Sequence, residues 1–234
     1  MSTTAIFGCT GLVGSHVLST LLSPTNSAQT IQTISRRTPK STGVNLQAVV
    51  EADTTQWANK LASLAPTPQT VISALGTTRV AAGGIANQWK IDHDLNVEIA
   101  EQAKKSGVRT FVFVSSAGIR GFFSGPIPYS QMKRGVEDKI KELDFAQAII
   151  LRPGLIIGER EVPHQGGALM NGFAGALGRY IGQGVKDAVG QDAEVIARAA
   201  VHAARLADEG KAPEKYWILE GKDIVRLGRT EWKE

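Results

Sequence analysis

The sequence predicts an α/β fold: a doubly wound, Rossmann-like parallel sheet with a small Gly-rich C-terminal substrate region. Three observations carry that expectation. Short apolar runs alternate with longer helical patterns along the chain, and runs apolar on both faces suit strands of a parallel sheet covered by helices on both sides. Gly8, Gly11 and Gly14 stand in G-x-x-G-x-x-G order between the first such run and the first helical pattern. The length of 234 residues suffices for one large α/β domain. The expected division is a single domain over 1–234, with a dinucleotide-binding core at 1–154 and substrate-side and closing elements at 155–234.

The elements follow in order. "TAIFG" reads as the first strand and "LVGSHVLSTLLS" as a helix with Leu12, Val13, Val17, Leu18, Leu21 and Leu22 facing inward. "TIQTISR" and "LQAVVEAD" are the second and third strands, and "TVISALG", after the breaker "PTPQ", is the fourth. "DHDLNVEIAEQAKKSG" is a helix stopped by Gly107, and "VRTFVFVSSAG" is the fifth strand. A helix opening near Pro128 runs through "SQMKRGVEDKIKEL", followed by "FAQAIILRPG" as the sixth strand. Beyond Pro153 the alternation weakens. "DAEVIARAAVHAARLAD" is a helix and "KYWILEG" a last strand, while the Gly-rich stretch 158–186 yields no clear element and suits loops covering a ligand.

Composition excludes several classes. Hydrophobic residues make up 42% and charged residues 21% of the chain, an ordinary globular balance that argues against disorder. A formal charge of +4, with no Lys/Arg run longer than a pair, is far from a nucleic-acid-binding profile. The single cysteine, Cys9, allows no internal disulfide and fits a reducing compartment. No segment approaches the roughly 18 consecutive apolar residues of a membrane span. The opening "MSTTAIFGCTG" runs directly into a strand pattern, with no room for a cleavable signal or basic presequence. The four histidines, His16, His93, His164 and His202, are scattered without metal-ligand spacing, so no metal site is expected. No G-x-S-x-G elbow supports a hydrolase.

The glycine triplet carries the first chemical prediction. Gly8 permits a tight turn, Gly11 lets the main chain approach a pyrophosphate, and Gly14 lets helix and strand pack closely. The helix N-terminus then offers free amides and positive dipole to phosphate. Thr10, Leu12 and Val13 lie in the same stretch. At the end of the second strand, "SRRTPK" places Arg36 and Arg37 where a carboxylate would bind a ribose 2′-hydroxyl. Guanidinium suits a 2′-phosphate instead, so NADP(H) is expected rather than NAD(H). Asp53, closing the third strand, either reaches the adenine edge or caps a helix.

"IPYSQMKRG" sets Tyr129 and Lys133 four residues apart, so one helical turn places phenol and ammonium on one face. A phenol needs a nearby cation to exchange protons near neutral pH, because its ordinary pKa is about 10. By position, Ala74, Leu75 and Gly76 at the end of the fourth strand fit either close approach to a ligand or a plain turn. Arg79 meets phosphate or substrate, or is a solvated loop residue.

The succession "GCTGLVG", "SRR", "VSSAG", "YSQMK" and "LRPG" resembles the short-chain dehydrogenase/reductase superfamily over roughly the first two-thirds of the chain. "VGQDAEVIARAAVHAA" is similar to a helix found late in its extended and atypical members. More narrowly, "ISALGTTRVAAGGIANQWKIDHDLN", "FVFVSSAG" and "IILRPGLIIGER" resemble a small atypical subgroup, that of the animal Tat-interacting NADPH-binding tumour suppressor and its fungal counterpart at the mitochondrial outer membrane, with the fungal branch the nearer. The resemblance implies Ser116, Tyr129 and Lys133 as the catalytic set, with Ser115 the rival serine. Tyrosine would be the acid to a carbonyl oxygen, lysine would bind the nicotinamide ribose and lower the phenol pKa, and serine would bond the substrate oxygen. It also implies that Ala74, Leu75 and Gly76 lie against the cofactor and Pro153 and Gly154 beside nicotinamide. Asp92 or Asp94 falls where the superfamily often has asparagine, with Asn96 a turn later.

The implied function is NADPH-dependent reduction of a carbonyl on a small molecule, by a monomer or homodimer. A non-catalytic NADPH-binding module regulating a protein partner is the competing class. Epimerase or dehydratase chemistry is a third reading, for which no further acid/base pair is evident. The implied location is the cytosolic side, with peripheral attachment to the mitochondrial outer membrane. The stretch "GGALMNGFAGALGRYIGQG" reads as a membrane contact, a substrate-side lid or a subunit contact.

Overall fold

The computed structural model describes residues 2–24, 29–121, 124–158 and 190–233. Seven strands form one parallel sheet in the order β3-β2-β1-β4-β5-β6-β9. They are β1 (Thr3–Phe7), β2 (Thr30–Ser35), β3 (Leu46–Val50), β4 (Thr70–Ser73), β5 (Thr110–Val114), β6 (Gln147–Arg152) and β9 (Tyr216–Glu220). A second, two-stranded parallel sheet joins β7 (Leu155–Ile157) to β8 (Gly190–Asp192). The predicted doubly wound fold is thus observed, with the order reversing between β1 and β4. That reversal opens a crevice at the carboxyl ends of these strands.

Helices cover both faces because the strands are apolar on both. On one face, α1 (Leu12–Leu21) and α6 (Ala193–Asp208) pack over Ile6, Val112, Ile149 and Leu151. The alanines of α6, among them Ala197, Ala200 and Ala203, are buried and let it lie close to α1 and the sheet. A short α7 (Gly221–Val225) adds Ile224 to this core. On the other face, α2 (Trp57–Ala62), α4 (Leu95–Lys105) and α5 (Pro128–Glu142) enclose Phe7, Phe111, Phe113 and Ile150.

Three local differences from the sequence expectation have physical causes. The third strand stops at Val50, because Asp53 turns the chain by accepting hydrogen bonds from the amide and hydroxyl of Thr55 at 2.9 and 2.7 Å. Helix α2 carries only two inward apolar residues, Trp57 and Leu61, too few for a periodic signal. The helix expected from Asp92 starts earlier: α3 (Ile85–Trp89) runs through a π turn at Lys90–Asp94 into α4. Asn96 secures that turn, donating to the carbonyl of Ile91 at 3.0 Å and pairing with Ser73 Oγ at 2.6 Å.

Candidate active site

The loop from β1 to α1 forms one wall of a cleft of about 810 Å³ at the strand reversal. Gly8 sits at φ +83°, and a Cβ there would lie 2.7 Å from the carbonyl oxygen of Ala74. A Cβ on Gly14 would collide with the Gly8 carbonyl, so this glycine serves helix–strand packing beneath the cleft. Helix α1 opens at Gly11 without a capping side chain or an acidic residue in its first turn. Its leading amides are therefore available to an anion. Gly8, Thr10, Gly11, Leu12 and Val13 all line the cleft.

Arg36 and Arg37, just beyond β2, line the same cleft and are exposed. Ser35 braces this corner by donating its hydroxyl to the Arg37 carbonyl at 2.7 Å. No described carboxylate bonds either guanidinium. Asp53 lies outside the cleft lining and is spent on its cap to Thr55. That bonding holds its carboxyl below the usual range.

The opposite wall comes from β4, β5 and the helices after them. Ala74, Leu75 and Gly76 line it, with Thr77, Thr78 and Arg79 beyond. Helix α5 starts with Pro128 in its first turn, where the missing amide costs nothing. Tyr129, Lys133 and Glu137 then recur every four residues along one stripe. Tyr129 and Lys133 face the cleft. Tyr129 keeps 36% exposure, and the Ser116 hydroxyl, which donates to the Ala117 carbonyl at 3.4 Å, acts on its phenol. Lys133 is 3% exposed, donating to the carbonyls of Val114 at 3.2 Å and Leu75 at 3.4 Å, with its ammonium 4.7 Å from the centre of the Phe113 ring.

Ser115 is committed elsewhere. Its hydroxyl donates to Glu137 Oε1 at 2.7 Å. Glu137, fully buried, also accepts from Arg152 at 2.7 and 3.0 Å and from Arg120 Nε at 3.2 Å. These bonds raise the Arg152 pKa above its ordinary value. Ser115 nonetheless lines the cleft, whereas Ser116 lies outside its lining. Pro153 and Gly154 lie outside the cleft lining: the Pro153 carbonyl accepts from the Ala117 amide at 2.7 Å, and the Gly154 amide donates to Gln191 at 2.8 Å.

The π turn aims Asp92 into the cleft. It is 1% exposed, accepts from the Thr77 amide at 2.9 Å, and places Oδ1 3.9 Å from Lys133 Nζ. Burial raises its carboxyl pKa against the opposing pull of Lys133 and the Thr77 amide. Burial likewise lowers the lysine pKa, while Asp92 and Glu137 oppose. Burial first, then the charge of Asp92, raises the Tyr129 phenol above 10, with the Ser116 bond pulling the other way. Where the resemblance implies a lowered phenol pKa, the direction without ligand is upward, with burial its largest cause. Asp94 sits instead on the surface, paired with His93 at 2.8 Å. Among the described residues no His/Cys/Asp/Glu group could hold a metal ion. The segment 166–184 and His164 lie outside the described residues.

A family model described as "NAD dependent epimerase/dehydratase family" matches residues 4–218. The chain belongs to that family. The resemblance to short-chain dehydrogenases/reductases and to their fungal mitochondrial subgroup is upheld by its relatives. "Protein FMP52, mitochondrial" of Chaetomium globosum is 63% identical, covering 100% of both chains. "Protein fmp-52, mitochondrial" of Neurospora crassa is 62% identical over 100% of this chain and 98% of its own. Among solved structures, one titled "MoeE5 in complex with UDP-glucose and NAD" superposes with a TM-score of 0.68 at 16% identity, over 98% of this chain and 82% of that one. A UDP-galactose 4-epimerase gives 0.65 at 16% identity, over 93% and 76%. At such identities these structures share the family's fold. Among the described residues no helix is long and apolar enough to cross a membrane.

Proposed function

We propose that the chain is an NADPH-dependent oxidoreductase that reduces a carbonyl on a small molecule. The observation that carries this reading is the convergence of Tyr129 and Lys133, with Ser115 beside them, at the cleft whose far wall is the glycine loop. The residues fit a dinucleotide: a glycine floor that a Cβ would block, uncapped amides, and two exposed guanidiniums at the end of β2. The missing acid at β2 and the two arginines favour a 2′-phosphate, although the solved neighbours named above include one titled as carrying NAD.

When bound, the nicotinamide supplies the hydride. Amides at the start of α1 would hold its diphosphate, Arg36 and Arg37 a 2′-phosphate, and Lys133 its distal ribose. Ser116 would donate to the substrate's carbonyl oxygen, and Tyr129 would give that oxygen its phenolic proton. Solvent then reprotonates the phenolate, which the exposure of Tyr129 permits. The relatives' mitochondrial names support a mitochondrial location, and peripheral attachment on the cytosolic side of the outer membrane, as monomer or homodimer, accompanies this reading.

The alternative of a non-catalytic NADPH-binding module draws on one observation, the Lys133 ammonium engaged by the carbonyls of Leu75 and Val114 and by Asp92; burial accordingly leaves the Tyr129 phenol raised rather than lowered. A turnover screen separates the two: purified protein, NADPH, and a panel of aldehydes, ketones and quinones, followed by absorbance. Oxidation of NADPH with at least one panel member supports the reductase. Binding of NADPH with no oxidation across the panel supports the module.

A further inference from the structure

Seven large hydrophobic side chains are exposed among the described residues. Two of them, Val44 and Val50, lie just before and at the end of β3, on the far edge of the sheet. The other five border one end of the cleft. Val80 follows the lining residue Arg79, and Leu155 precedes the lining residue Ile156. Tyr129 itself lines the cleft, two residues beyond Ile127. Ile85 opens α3 one turn before Gln88, another lining residue. Single exposed apolar side chains are ordinary, but a group of them at the mouth of a cleft marks a binding surface.

The stretches that carry Val80, Ile85, Ile127 and Leu155 hold no side chain able to hydrogen-bond. Residues 80–85 read "VAAGGI", residues 125–128 read "GPIP", and β7 reads "LII". All of these residues are exposed or half-buried. Much of their main chain is spent as well. The Ala81 amide donates to Thr78 Oγ1, and those of Ala82, Gly83 and Gly84 donate to carbonyls of the same loop. The Ile127 amide donates to Ser124, and the Gly125 carbonyl accepts from Gln131 and Arg134. A polar group brought against this rim would lose water and gain few hydrogen bonds in exchange. A hydrocarbon chain gains simply by leaving water.

We propose that the carbonyl substrate is an unbranched aliphatic aldehyde or ketone, whose hydrocarbon chain leaves the Tyr129 end of the cleft across this rim. This names the substrate class for the reductase reading above and rests on it. Hydride passes from NADPH to the carbonyl carbon and the Tyr129 proton to its oxygen, giving the alcohol and NADP⁺. The chain beyond the carbonyl takes no part in that step and contributes through burial alone.

The test follows NADPH oxidation by absorbance with unbranched aldehydes from propanal to octanal, for wild type, Ile127→Ser and Ile85→Ser. In wild type, kcat/KM should rise about two- to fourfold with each added methylene. In each variant, the octanal-to-propanal ratio of kcat/KM should fall about threefold or more. Both side chains are exposed, so neither change threatens the fold, and NADPH affinity by fluorescence titration checks this. A kcat/KM that stays flat or falls with chain length in wild type, or an unchanged ratio in both variants, overturns the proposal. So does a flat series in which Ile127→Ser only halves the sedimenting mass or releases protein from phosphatidylcholine vesicles. Those results would give the rim to a second copy or to a membrane. If wild type binds NADPH but oxidises it with no aldehyde, the reductase reading fails separately. The rim is then judged by calorimetry of two inert carbonyl compounds, octanamide and propanamide, on the NADPH complex. Octanamide binding about tenfold more tightly or better upholds the apolar specificity without the reaction, and equal binding overturns both.

Discussion

The two walls of the cleft are built by different means. On the glycine-loop side, the β1–α1 loop and the end of β2 offer main-chain amides, glycines and two exposed arginines with no described acidic partner. On the opposite side, Asp92, Lys133, Ser115 and Glu137 are nearly buried, and each is fixed by groups from another element. The first wall is an open cradle for fixed negative charge. The second stores unfavourable electrostatics, with burial pushing Asp92 and Lys133 both toward their neutral forms. A site that binds can be built from backbone alone, whereas one that moves a proton needs side chains held out of water.

The comparison breaks most visibly at Glu137. Glu137→Ala would leave Arg152 and Ser115 facing a buried void, at a cost of about 3 kcal/mol or more in denaturant unfolding. An equal loss from Arg36→Ala would erase the contrast between the walls. Next in size, Tyr129→Phe should lower any carbonyl-reducing turnover about a hundredfold or more, with NADPH affinity nearly unchanged. Retained turnover would remove the phenol from the chemistry. Replacing Arg36 and Arg37 together with Ala should weaken NADPH about tenfold or more and NADH hardly at all, read by fluorescence titration. Equal losses would assign those arginines to the diphosphate or to neither cofactor.

The smallest effect sharpens the electrostatics. In the ligand-free protein, the tyrosinate absorbance change missing from Tyr129→Phe should titrate above 10, because burial and the Asp92 charge both disfavour phenolate. Asp92→Asn removes a negative charge, so the same transition should move to lower pH. A shift upward would mean that the carboxyl acts on the phenol in some other way.

Legibility followed the same division. The glycine turn, the arginines and the strand–helix alternation are local patterns, and all the sheet strands up to the sixth were readable from apolar runs, with the last one marked by "KYWILEG". What escaped depends on distance in sequence. Ser115 and Ser116 are neighbours of one kind, and the partner that sets Ser115 apart, Glu137, lies 22 residues on. Nothing local distinguishes Asp92 from Asp94. The π turn does, sending one into the cleft and the other to the surface beside His93. Helix α2 was hidden because two apolar residues suffice to dock it. A usable signal did exist for Glu137: it continues the four-residue stripe of Tyr129 and Lys133, so a helix with those two facing the site must bury it.

The central claim is that one dinucleotide spans both walls, diphosphate on the first and nicotinamide on the second. A crystal structure of the protein soaked with NADP⁺ tests it directly. The account predicts diphosphate oxygens on the amides that open α1 and the nicotinamide ring beside Tyr129 and Lys133. Diphosphate away from the glycine turn, or nicotinamide turned out of the cleft, would contradict it.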